Sequence, residues 1–66
     1  MIRVDELRGI IAKNKLSQAK VAIMLGIAPK TFYEKMSRGV FGSDEIEGMI
    51  RILNIDNPVE IFFAQE

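Results

Sequence analysis

The chain contains no cysteine and no histidine, and its formal net charge is zero. Without cysteine there is neither a disulfide framework nor thiolate chemistry, which suits a reducing cytosol. Without histidine the commonest general base and the commonest metal ligand are both missing. Long apolar runs are absent too, since none approaches the ~20 residues needed to span a bilayer, so no membrane association is expected. The first residues, MIRVDELRG, lack the pattern of a secretory signal. A length of 66 residues points to a single domain over residues 1–66. A domain this small buries roughly 60% of the surface its unfolded chain exposes, so it gains from association.

The zero net charge hides a division. Residues 13 to 38 carry Lys13, Lys15, Lys20, Lys30, Lys35 and Arg38 against one acid, Glu34, a net of +5. Residues 43 to 66 carry Asp44, Glu45, Glu47, Asp56, Glu60 and Glu66 against one base, Arg51, a net of −5. Such blocks are either solvated faces or the footprint of a charged partner, and a basic stretch fits nucleic acid.

Apolar spacing predicts an all-α fold of five short helices. The first runs from about Arg3 to Lys13, with Val4, Leu7, Ile10 and Ile11 on one face and Asn14 as its stop. Gly9 weakens it by about 1 kcal/mol relative to alanine. Ser17 is the expected N-cap of the second helix, which carries Val21, Ala22 and Leu25 and ends at Gly26. Pro29 opens the third, where its missing N–H is not needed, and Phe32 and Met36 share one face before Gly39. Val40 to Gly42 link to a fourth helix. Ser43 is its N-cap candidate, Asp44, Glu45 and Glu47 fill its first turn, and Ile46, Met49, Ile50 and Leu53 form its apolar stripe. Pro58 starts a last short helix, VEIFFA, although that composition also suits a strand.

The stretch from Gln18 to Gly39 is the most informative. Two helices that cross closely need a small side chain at the contact, which Ala22 supplies. A three- to four-residue turn between them needs a residue at ease with positive φ, which Gly26 supplies. Leu25, Ile27 and Phe32 then seal the pair onto the first and fourth helices. Together these residues resemble a helix-turn-helix, a unit that presents its second helix to a DNA major groove.

The resemblance covers nearly the whole chain. The sequence resembles the Cro- and lambda-repressor-type helix-turn-helix family of phage and bacterial regulators. It is most similar to small phage Cro-like proteins, through Thr31 to Met36 (TFYEKM), Asp44 to Ile55 (DEIEGMIRILNI) and Glu60 to Phe63 (EIFF). The resemblance implies a compact repressor-type domain that binds a double-stranded DNA operator and regulates transcription. It implies that Gln18 bonds a phosphate or a base edge. It also implies that bases are read from Ala28, Pro29, Lys30, Thr31 and Glu34, flanked by Tyr33 and Lys35. Two departures stand out. Ala28 and Pro29 replace polar groups and can only touch a thymine methyl. Lys35 occupies the place of an apolar residue, a role that passes to Met36.

Side-chain chemistry then suggests roles. Lys30 suits guanine O6 and N7, or a phosphate. Thr31 suits a thymine methyl or a phosphate. Glu34 can accept from a cytosine amino group, or pair with Lys30 one turn away. Arg38 is placed as a phosphate clamp, and Ser17 and Gln18 as anchors at a helix N-terminus. Lys13, Lys15 and Lys20 either meet phosphate or keep the chain soluble. Tyr33 either packs on the core or meets the DNA backbone, and Lys35 joins the backbone set. Val59, Ile61, Phe62 and Phe63 either close the core against the first helix or form a homodimer surface. A two-fold dimer would match half-sites about one DNA turn (~34 Å) apart.

Sequence-specific regulation of transcription is the leading expectation. The alternative is a helix-turn-helix-like protein that binds and modulates another repressor. An enzyme is not expected, nor any cofactor or metal. The acids of the fourth helix fall mainly on a solvent face, and the serines sit at caps or in loops.

Overall fold

The computed structural model describes residues 1–64, so Glu66 of the acidic half lies outside the described residues. The fold is all-α, with no strand among those residues. Five helices follow in order: α1 (Val4–Lys13), α2 (Gln18–Leu25), α3 (Pro29–Arg38), α4 (Ser43–Leu53) and α5 (Pro58–Phe62). VEIFFA is therefore helical up to Phe62. No helix among the described residues is long and apolar enough to cross a membrane.

The four longer helices end in the same way. Each is followed by a residue in the left-handed region, with φ of 60° at Lys15, 81° at Gly26, 70° at Gly39 and 54° at Asn54. The next residue in each case is apolar and returns its N–H into the last turn. Leu16 donates to Ile11 O, Ile27 to Ala22 O, Val40 to Lys35 O and Ile55 to Ile50 O, at 3.0 to 3.1 Å. These bonds satisfy carbonyls that a helix end leaves orphaned. Asn14 stops α1 as expected. Its Nδ2 donates to Ile10 O at 2.8 Å and to Leu53 O at 3.3 Å, which ties the end of α1 to the end of α4.

The start of α4 departs from expectation. Ser43 is not the N-cap; it is the first helical residue, and Gly42 is the cap. The Glu45 carboxylate reaches back, and its Oε1 accepts the Gly42 N–H at 2.7 Å. That bond satisfies the backbone N–H of the cap residue, as the N3 carboxylate of a capping box does. Glu47 also falls beyond the first turn, where only Asp44 and Glu45 lie.

α2 packs chiefly on α3 and α4, and α1 bridges α2 to α5. The core gathers Leu7 and Ile11 of α1, Val21 and Ala22 of α2, Phe32 and Met36 of α3, and Met49 and Leu53 of α4. Burying side chains of this size contributes about 1.5–3 kcal/mol apiece. Three contributors come from outside the helical stripes: Ile2, Phe41 and Ile55. The Phe41 ring lies 5.2 Å from that of Phe32 at 53°, a tilted aromatic pair. Gly48 is buried where α4 meets α2, and a Cβ there would sit 2.6 Å from Leu25 Cδ2. Ile61 and Phe62 close the core from α5, while Val59 and Phe63 face outward. Of the four apolar residues of the chain end, Ile61 and Phe62 thus close the core and Val59 and Phe63 are exposed.

Candidate nucleic-acid interface

The unit α2–turn–α3 is built as its residue types require. Ser17 is extended, and its Oγ accepts the Lys20 N–H at 3.1 Å, which opens α2. Ala22 is fully buried at the helix crossing. Gly26 makes the turn, and Ile27, partly buried, carries the chain toward α3. Ala28, extended, precedes Pro29 at the first helical position, as proline's own geometry favours.

α3 is sharply two-sided. Phe32 and Met36 are buried beneath it, so Met36 does fill the apolar role that Lys35 leaves open. Lys30, Tyr33, Glu34, Ser37 and Arg38 are exposed on the other side. Lys30, Glu34 and Ser37 follow at helical spacing and form one outward row. Ser37, outside the residues expected to meet DNA, joins that row seven residues after Lys30, on the same face. Thr31 is half-buried at one edge, as is Gln18 at the start of α2. Tyr33 is 49% exposed, with its ring partly laid against the protein. Among the described residues no ion pair joins Lys30 to Glu34, so the helix-surface pairing considered for Glu34 is not formed.

Lys35 is placed differently from the other basic residues of this segment. Its Nζ lies 2.6 Å from Glu45 Oε2. Glu45 is the one buried charged side chain among the described residues, at 8% exposure. Its two oxygens are divided between Lys35 and the Gly42 N–H. Glu45 is therefore not on a solvent face as its helix composition suggests. A carboxylate this buried needs hydrogen-bond partners for its oxygens, and it has two. Lys35, half-buried, is paired with Glu45, whereas Lys13, Lys15, Lys20, Lys30 and Arg38 are exposed and in no ion pair among the described residues.

The outcome is an exposed, mostly cationic face on α3, with Lys20 exposed on α2. It offers donors from Lys30, Arg38 and Ser37 and an acceptor at Glu34. No cluster of three or more potential metal-binding residues occurs among the described residues. Comparison of the chain with family models, with curated proteins and with solved structures finds no match.

Proposed function

We propose that this chain is a sequence-specific double-stranded DNA-binding regulator of transcription, of the phage Cro or repressor kind. The observation that carries the reading is α3 itself. It buries Phe32 and Met36 and turns Lys30, Glu34, Ser37 and Arg38 outward, beside a turn that holds it against α2. In this reading α3 enters the major groove. Lys30, Thr31, Glu34 and Gln18 meet base edges, and Ser17, Lys20, Tyr33 and Arg38 meet the backbone. Lys35 leaves the backbone set and holds α3 in place through Glu45. The regulator acts with a second copy on paired half-sites, in the bacterial cytoplasm.

Selection of bound duplexes from a random pool tests this. Enrichment of a defined repeated sequence is the expected outcome. Failure to bind any duplex at low salt refutes the reading, because several phosphate contacts give their greatest affinity there. A second reading, in which the chain binds and modulates another repressor, draws on the exposed apolar side chains of α2 and α5. It is favoured if the folded protein ignores every duplex.

A further inference from the structure

α3 carries one acid on a face that is otherwise basic and polar. Glu34 is the only acidic residue between Lys13 and Arg38, a stretch whose six lysines and arginines give it a net charge of +5. It is exposed in the outward row, between Lys30 and Ser37. Lys30 stands four residues before it and Arg38 four residues after it. Both are at the spacing where a helix brings opposite charges together. Glu34 nevertheless pairs with neither among the described residues. Glu45, by contrast, is buried and spends both oxygens on Lys35 and the Gly42 N–H. Glu34 is thus an unpaired negative charge in the middle of the face that the proposed function turns toward DNA.

A carboxylate in that place works against binding to most sequences. It approaches a polyanion, gives up water on docking, and can only accept hydrogen bonds. The base edges of the major groove offer it two donors, the cytosine N4 and adenine N6 amino groups. Guanine O6 and N7, thymine O4 and adenine N7 are acceptors, and they repel it. The adenine amino group lies beside N7, whereas cytosine presents its amino group with no acceptor of its own. Cytosine therefore satisfies Glu34 best, and other bases leave a desolvated charge poorly paired. We infer that Glu34 is a specificity-determining residue that acts by rejection: it requires a C·G pair at one position of each half-site and lowers affinity for every duplex without it. Discrimination of this kind comes from the penalty on wrong partners more than from added attraction to the right one. Lys30 and Arg38 draw in any duplex, and Glu34 sorts among those drawn in. This role rests on the DNA-binding reading, with α3 in the major groove.

Competition titration at low salt tests it on the unmodified chain, Glu34→Ala and Glu34→Gln. The probes are the duplex that the unmodified chain selects, every single base-pair substitution of it, and one unrelated duplex. Glu34 is exposed and unpaired, and circular dichroism confirms that both variants are folded. The unmodified chain is expected to lose about tenfold in affinity when one C·G pair is replaced by A·T or T·A. Glu34→Ala is expected to lose that preference, to keep those at other positions, and to bind the unrelated duplex several-fold more tightly. Glu34→Gln, with a donor and an acceptor in place of the charge, is expected to shift the same position toward an A·T pair. The role is overturned if Glu34→Ala keeps every preference of the unmodified chain, if the preference it loses is for an A·T pair, or if its hold on the unrelated duplex does not rise. A defined sequence that both the unmodified chain and Glu34→Ala read alike removes this role and leaves the DNA-binding reading standing. An unmodified chain that binds no duplex removes both.

Discussion

Lys35 and Glu45 form an ion pair of 2.6 Å that joins the body of α3 to the first turn of α4, with the other Glu45 oxygen held by the Gly42 N–H. The pair fixes the helix offered to solvent against the helix that anchors it. Glu45→Ala strands both the Lys35 ammonium and the Gly42 donor. It is expected to cost about 2 kcal/mol, less than a fully buried pair because Lys35 is a third exposed. Glu45→Gln keeps an acceptor for Gly42 and is expected to cost about half as much. Urea unfolding measures both, and equal midpoints for all three proteins would discard this role.

Glycine substitutions should divide by backbone conformation. Gly9 lies within α1 with nothing inside 4 Å of an added Cβ, so Gly9→Ala should stabilise the protein by about 1 kcal/mol. Gly26, also with open space around it, has φ of 81°, and Gly26→Ala should destabilise by about 1–2 kcal/mol. Thermal unfolding that moves both variants in one direction would contradict the argument.

Lys15 occupies the left-handed region at φ 60° without being glycine or asparagine. Lys15→Gly should therefore raise stability, by up to about 1 kcal/mol. If Lys15 also meets phosphate, the same change lowers duplex affinity, so stability and binding move in opposite directions. Binding and unfolding measured on the one variant decide whether strain at this position accompanies a function.

The two exposed bases of α3 should behave differently on DNA. Arg38→Ala is expected to weaken binding about equally across sequences and to reduce the salt slope by about one. Lys30→Ala is expected to relax sequence preference at one position by about 1–3 kcal/mol. Titration of matched and mismatched duplexes at several salt concentrations distinguishes them. Identical effects of the two changes would remove the proposed division of roles.

The helices themselves were largely legible in the sequence. Ser17, Gly26, Pro29 and Gly39 act locally, and each does in the structure what its own backbone or hydroxyl dictates. What escaped was non-local. Glu45 points inward because Lys35, ten residues earlier and on another helix, meets it there. Glu45 also holds the Gly42 N–H, and the helix starts at Ser43, with Gly42 as its cap. Phe41 and Ile2 lie outside any periodic stripe, so nothing in their spacing marks them as core. Gly48 reads as a flaw in a helix until Leu25 is seen to occupy the space its side chain would need. On α3 the exposed face followed from Phe32 and Met36, but Lys35 could not be separated from its basic neighbours by spacing alone.

The Arg3 N–H donates to Ile61 O at 2.7 Å, which joins segments near opposite ends of the sequence. Bringing such distant segments together costs roughly 3–4 kcal/mol in loop-closure entropy. That is a large part of what burying Ile61 and Phe62 returns. The pairs α1–α2 and α2–α3 close only short loops and can assemble before α5 arrives. α5 is then expected to be the last element to dock during folding and the first to detach. Its release would uncover the part of α1 it packs on while the α2–α3 unit stays formed. In amide exchange, Arg3 would then lose protection through a local opening well before Ala22 or Phe32 does through global unfolding.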